Sequence, residues 1–329
     1  MTFLPRSRFL ARLLACALLG TLSAGASAQS GYPERPIRLV VPFAAGGATD
    51  VLGRMLALDL GNKLGQPVVV ENKPGAGTVV AAALVAKAPP DGYTLLLGAS
   101  TTLTLNPAIR NPLPYDPLRS FTLLGMVADM SLVLVANNDL PAHTLKSLVA
   151  LSKAEPDKLS YGSFGTGSSV HFGAEMIKTA TGIQMVHVPF NGSAPNLTAL
   201  MGGQTQVAVD TVVATLPLIK AGKIRPIAVL SAQRLALLPQ VPTVAESGYP
   251  GFAIGTWFAL LAPAGVAPAV QQKVEKALEE VVNTPEMKKK LVDLGLQHAY
   301  GDGAALRTRV EQELPQMRAV AARANIQVD

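Results

Sequence analysis

Short β-branched runs alternate with stretches of helical periodicity along almost the whole of this chain, which argues for α/β units around largely parallel sheets. Residues 37–41 read as the first strand. A glycine loop follows, then a helix from about Thr49 with Leu52, Leu56, Leu60 and Leu64 at i, i+4 spacing along one face. Residues 68–70 form the next strand, 79–87 a helix that Pro89-Pro90-Asp91-Gly92 stops, and 93–97 a third strand. The pattern restarts at Ser131, with strands over 132–135, 158–161, 185–188, 207–212 and 226–230 and helices over 145–154, 170–179 and 195–201. A strand over 257–261 then leads into helices over 268–282, 285–294 and 304–322. The expected arrangement is a discontinuous first lobe, 29–129 plus 253–329, and a second lobe, 130–252. Two chain crossings make a hinge, and the cleft between the lobes is the expected binding site.

The amino-terminal segment carries Arg6, Arg8 and Arg12 without an acid, an apolar run over 13–22, and Ala26-Ser27-Ala28 before Gln29. This is the pattern of a secretory signal peptide, residues 1–28, with cleavage expected after Ala28 and export of the mature chain from the cytoplasm. Cys16 lies inside that segment, so the processed chain has no cysteine for disulfides, thiolate catalysis or metal ligation. The formal net charge of +6 drops by the three signal arginines, and only 15% of residues are charged. Such a balance gives no footprint for nucleic acid. Lys288-Lys289-Lys290 reads as a solvated helix face.

Three strand-to-helix junctions share one design: residues 41–50, with Phe43, Ala44, Ala45, Gly46, Gly47 and Thr49; residues 161–171, with Ser163, Gly165, Thr166, Gly167, Ser168 and Ser169; and residues 188–195, with Asn191. Unpaired N–H groups and the partial positive charge of a helix N-terminus make each a ready anion site. None contains Lys or Arg, so backbone amides and the side chains of Ser163, Thr166, Ser168, Ser169 and Asn191 are the expected donors. A helix dipole contributes only about 0.3–1 kcal/mol at an exposed site and a hydrogen bond to a charged group about 1.5–3. Micromolar affinity corresponds to about 8 kcal/mol, so donors from both lobes must converge on one ligand. Asp50 either caps its own helix or meets an ammonium group, which would make the ligand an amino acid. Asp210, inside an apolar strand, is either a hinge-side acceptor or a ligand contact.

The sequence holds no Walker A segment, dinucleotide fingerprint, Gly-x-Ser-x-Gly elbow or His-Glu-x-x-His pair, and its four histidines have no metal-ligand spacing. His171 falls in the first turn of a helix, where the dipole favours a neutral, hydrogen-bonding ring. A Ser168–His171 pair is the one arrangement that a secreted hydrolase would use.

The chain resembles the Bug family of extracytoplasmic solute receptors, the binding-protein component of tripartite tricarboxylate transporters. The resemblance rests on Tyr32-Pro33, Pro42-Phe43, Gly46-Gly47 with Asp50, and Glu71-Asn72-Lys73-Pro74-Gly75-Ala76-Gly77. It continues through Asp91-Gly92-Tyr93-Thr94, Asn106-Pro107, Tyr161-Gly162-Ser163, Gly167-Ser168 with His171, Val241-Pro242-Thr243, Trp257-Phe258 and Ala262-Pro263-Ala264-Gly265. It implies a two-lobed periplasmic binding protein of the Venus flytrap kind, each lobe a mixed sheet flanked by helices. It further implies a monomeric, non-enzymatic receptor without cofactor or metal that holds a small organic carboxylate through 43–49 and 163–169. Its expected partners are transporter membrane subunits, or a sensor protein if the output is a signal. The family usually has Pro-Tyr-Lys-Gly where this chain has Pro189-Phe190-Asn191-Gly192, which implies a less acidic or smaller ligand.

Overall fold

The computed structural model describes residues 31–155 and 158–327; the signal segment lies outside them. In chain order the first unit comprises β1 (Ile37–Val41), α1 (Ala48–Leu64), β2 (Val68–Asn72), α2 (Val79–Ala86) and β3 (Thr94–Ala99). A π-helical turn, Thr101–Leu105, runs into the short helix α3 (Asn106–Ile109). Then come β4 (Phe121–Ala136), α4 (Leu145–Ala154), β5 (Ser160–Ser163), α5 (Ser169–Thr181), β6 (Val186–Pro189), α6 (Ser193–Met201), β7 (Val207–Thr211), α7 (Val212–Lys220) and β8 (Arg225–Val229). The chain closes with β9 (Gly255–Pro263), α8 (Pro268–Val282), α9 (Pro285–Asp293), β10 (Gln297–Asp302) and α10 (Gly303–Arg323).

The long strand β4 organises the molecule. Its first part pairs with β9 as far as Ser131 opposite Gly255, and its last five residues, from Leu132 opposite Thr211, pair with β7. The strand path is β2-β1-β3-β9-β4-β7-β5-β6, with β10 and β8 also on β4. The sheets are more mixed than βα alternation suggests. β9 runs antiparallel to both β3 and β4, because the chain enters it by returning from the second lobe. Alternate residues supply the two faces of each sheet: Leu39, Val41, Leu95 and Leu97 on one side of the first, with Val40 and Leu96 on the other. In the second lobe Leu132 and Leu134 are divided in the same way from Val133 and Val135.

Strand directions place the functional edge. β1 is parallel to β2 and β3, and two antiparallel steps through β9 give these three strands the direction of β4. β7 is antiparallel to β4, and β5 and β6 are parallel to β7, so those three run against it. The carboxyl ends of β1, β2 and β3 therefore point at the 131–132 crossing from one lobe, and those of β5, β6 and β7 point at it from the other. In open α/β sheets this is the edge that receives ligands.

α10 bridges the lobes behind this edge. The Arg309 guanidinium donates to Asp129 Oδ1 and Glu313 Oε1, both at 2.8 Å, and Trp257 Nε1 donates to Glu313 Oε2 at 2.7 Å. These bonds fix the middle of α10 to β4 and β9. Its far end, through Met317 and Ala321, packs on Phe172 of α5 together with Leu105, Ile109 and Ile326. Phe172 is fully buried.

Candidate functional site

The loop after β1 is shaped from beneath by Asp50, the third residue of α1. Asp50 Oδ2 accepts the Gly46 amide at 2.9 Å and Arg54 Nε at 3.0 Å, while Oδ1 accepts Asn72 Nδ2 at 2.9 Å. Asn72 Nδ2 also donates to the Phe43 carbonyl at 3.0 Å, so the end of β2 holds the same loop. Arg54 first, then the Gly46 amide and Asn72, hold the Asp50 carboxyl down at about 2. With all these partners inside the lobe, Asp50 braces the loop ahead of α1 and does not cap the helix as expected: the N-cap is Gly47, which has no side-chain cap bond, and the amide that Asp50 takes, that of Gly46, lies before the helix. Phe43 packs against the core, Thr49 is buried, and Ala44, Ala45, Gly46 and Gly47 are exposed. Gly46 has φ +86°, a left-handed conformation that a side chain disfavours. Among the described residues the amides of Gly47, Ala48 and Thr49 carry no hydrogen bond.

The loop after β5 is also held from inside. Ser163 is fully buried; its Oγ accepts the Gly165 amide at 3.1 Å and lies 2.6 Å from His187 Nε2. Gly167 N–H donates to His171 Nδ1 at 3.1 Å. Ser168 caps α5, accepting the His171 amide at 3.3 Å and donating to the Gly165 carbonyl at 2.7 Å. The amides of Thr166, Ser169 and Val170 carry no hydrogen bond among the described residues. Beneath the loop the rings of His171 and His187 stack at 4.0 Å between centroids, and those of His187 and Tyr161 at 4.9 Å. Tyr161 Oη donates to Glu175, which Lys178 pairs at 2.8 Å. Burial lowers both imidazoles, His171 to about 3, so each ring is neutral.

Of the sequence candidates, Ala44, Ala45, Gly46 and Gly47 follow the carboxyl end of β1, and Gly165, Thr166, Ser168 and Ser169 follow that of β5. Ser163 and Asp210 are turned inward. Asp210 accepts Ser193 Oγ at 2.8 Å, Asn196 Nδ2 at 2.9 Å and the Thr211 amide at 2.7 Å, and burial raises it to about 6 despite these donors. It fixes the start of α6, beside which Asn191 is exposed. The ring of His171 is engaged with Gly167 and the hydroxyl of Ser168 with Gly165, so these two side chains do not form the bond that a nucleophile and its base require.

Sequence reasoning missed two parts of this edge. Residues 75–78 all have positive φ, including Ala76 at +44° and Thr78 at +83°. Such strain persists only where neighbours over-determine it. Here Asn106 Nδ2 donates to the Gly77 carbonyl at 2.6 Å and to Thr78 Oγ1 at 3.2 Å, and Thr102 Oγ1 donates to Thr78 Oγ1 at 3.0 Å. The other part is the π-helical turn after β3, an irregularity frequent at functional sites. Only the Pro-Gly-Ala-Gly run and Asn106-Pro107 hinted at either. A broad surface depression lies elsewhere, between residues 107–117 and the end of α10.

Residues 52–326 match the family model TctC, the tripartite tricarboxylate transporter family receptor. Protein BugT of Bordetella pertussis is 38% identical over 277 residues, spanning 83% of this chain and 85% of its own. The solved structure of Rpa4515 of R. palustris with adipate superposes with a TM-score of 0.81 at 34% identity, covering 90% of this chain and 99% of that one. MatC from Rhodopseudomonas palustris with bound malate gives 0.75 at 31% identity, covering 88% and 99%.

Proposed function

This chain belongs to the tripartite tricarboxylate transporter receptor family, and from that premise we propose that it captures a small organic carboxylate between the loops after β1 and β5. What supports this reading is that the loops after β1 and β5 each lead into a helix whose first amides have no partner within the lobe, and that neither loop contains lysine or arginine. Each amide set offers a partial positive charge and fixed donors, a geometry suited to one carboxylate group shared between lobes. The two relatives solved with adipate and malate hold dicarboxylates, and this class is the first to try. A tricarboxylate fits less well, because Asn191 is uncharged and the loops supply no cation for a third carboxylate.

Capture begins with the open lobes binding the acid on one set of amides. Closure then adds the second set, and this differential contact makes the closed state the ligand-favoured one. No helix among the described residues is long and apolar enough to cross a membrane. Export through residues 1–28 with cleavage after Ala28, and delivery by a monomer to transporter membrane subunits, complete the reading. A thermal-shift series on the processed protein tests it: malate or adipate raises Tm with the logarithmic concentration dependence of a ligand that binds only the native state, and citrate raises it less. A flat response to every carboxylate in a broad panel refutes it.

A further inference from the structure

We propose that His171 is a positioning residue of the ligand site: a neutral imidazole that takes the Gly167 amide inward and so fixes how the other amides of that loop are presented. The proposal rests on the receptor reading for what the loop holds, whereas the brace itself is testable without ligand.

The two lobes solve the same problem with the same geometry. In the first, the glycine just before the N-cap residue, Gly46, donates to the side chain at the third helical position, Asp50, at 2.9 Å. In the second, Gly167 stands just before the N-cap Ser168 and donates to the third helical residue, His171, at 3.1 Å. Each acceptor removes one amide from the edge and leaves the following helical amides without internal partners. The acceptors differ in charge. Asp50 is an anion, compensated by Arg54 at 3.0 Å. An anion at position 171 would lack such compensation, because Lys178 is already paired with Glu175. It would also weaken the positive field of α5 at the amides that receive a carboxylate. A neutral acceptor fixes the loop and leaves that field intact.

The surroundings keep the ring neutral and in one orientation. It faces His187 of β6 at 4.0 Å and Tyr161 of β5 at 6.3 Å, with Glu175 and Lys178 following on its own helix. His187 is tied in turn to Ser163. Accepting at Nδ1 requires the proton to sit on Nε2, so the geometry specifies the tautomer.

The test combines amide exchange and imidazole nitrogen NMR on the ligand-free protein with titrations of adipate and malate. Wild type is expected to show a single Nε2–H tautomer of His171 from about pH 5 to 8 and a protected Gly167 amide. His171→Phe keeps a ring in the stack but has no acceptor, so Gly167 exchanges at least about tenfold faster. His171→Asn places Oδ1 where Nδ1 was and restores protection. His171→Asp also protects Gly167 yet binds the acid at least about tenfold more weakly than His171→Asn, which stays near wild type. Equal Gly167 exchange in wild type and His171→Phe, or titration of His171 near 6.5, overturns the brace. Equal affinities of the Asp and Asn variants overturn the role of neutrality. Absence of binding by either acid to wild type counts against the receptor reading for those acids, and the amide exchange still decides the brace.

Discussion

Gly47→Val is expected to lower affinity for the bound carboxylate at least about a hundredfold, which is about 2.7 kcal/mol, while the fold stays intact. Gly47 is the N-cap of α1 with φ −82° and ψ 169°, an extended conformation open to any residue. A Cβ built there meets only the Ala44 carbonyl, at 3.8 Å, so the lobe itself accommodates a side chain. The branched methyls instead occupy the space in front of the free amides of Gly47, Ala48 and Thr49, which an anion must approach closely. Titration calorimetry with circular dichroism separates the two effects. Unchanged affinity removes the loop after β1 from the site.

Phe172→Ala is expected to destabilise the protein by about 3–5 kcal/mol, the range for truncating a buried phenylalanine. Phe172 is fully buried at the junction of α5, the π-helical turn and the end of α10, where the two lobes meet. The first half of α10 is secured independently by the Asp129–Arg309–Glu313–Trp257 network. The variant therefore loosens the lobe contact while leaving the helix anchored to the first lobe. Urea denaturation measures the loss; a change below about 1 kcal/mol means that α10 does not join the lobes energetically.

Regular periodicity made much of this fold legible. The sequence pattern over residues 37–41, 145–154 and 268–282 has the bounds of β1, α4 and α8, because β-branched runs and i, i+4 apolar spacing act locally. Two of the readings that fail depend on distant partners and the third on a local cap. β4 is legible only from Leu132, since Gly125 and Asp129 interrupt its first part, which pairing with β9 nevertheless holds extended. β10, Gln297–Asp302, is polar and becomes a strand through its pairing with β4. The pattern extends the strand to Val212, whereas Thr211 accepts the Ala214 amide and starts α7 there despite Pro217.

The site divided in the same way. Glycines before a helix announced exposed amides, and those loops do lie on facing strand ends. Side-chain direction was not legible. Ser163 and Asp210 have the donor and acceptor groups of a ligand contact, but Gly165 and His187, and Ser193 and Asn196, claim them from within the lobe. The strain of the 75–78 segment is only hinted at by its glycines, because it depends on Asn106, about thirty residues away in the chain.

The most direct test is a crystal structure of the processed protein with adipate or malate. One carboxylate group is expected between the lobes, its oxygens about 3 Å from amides of the loop after β1 and of the loop after β5 at once. An acid bound to one lobe alone, or lodged in the depression beside residues 107–117, would contradict it.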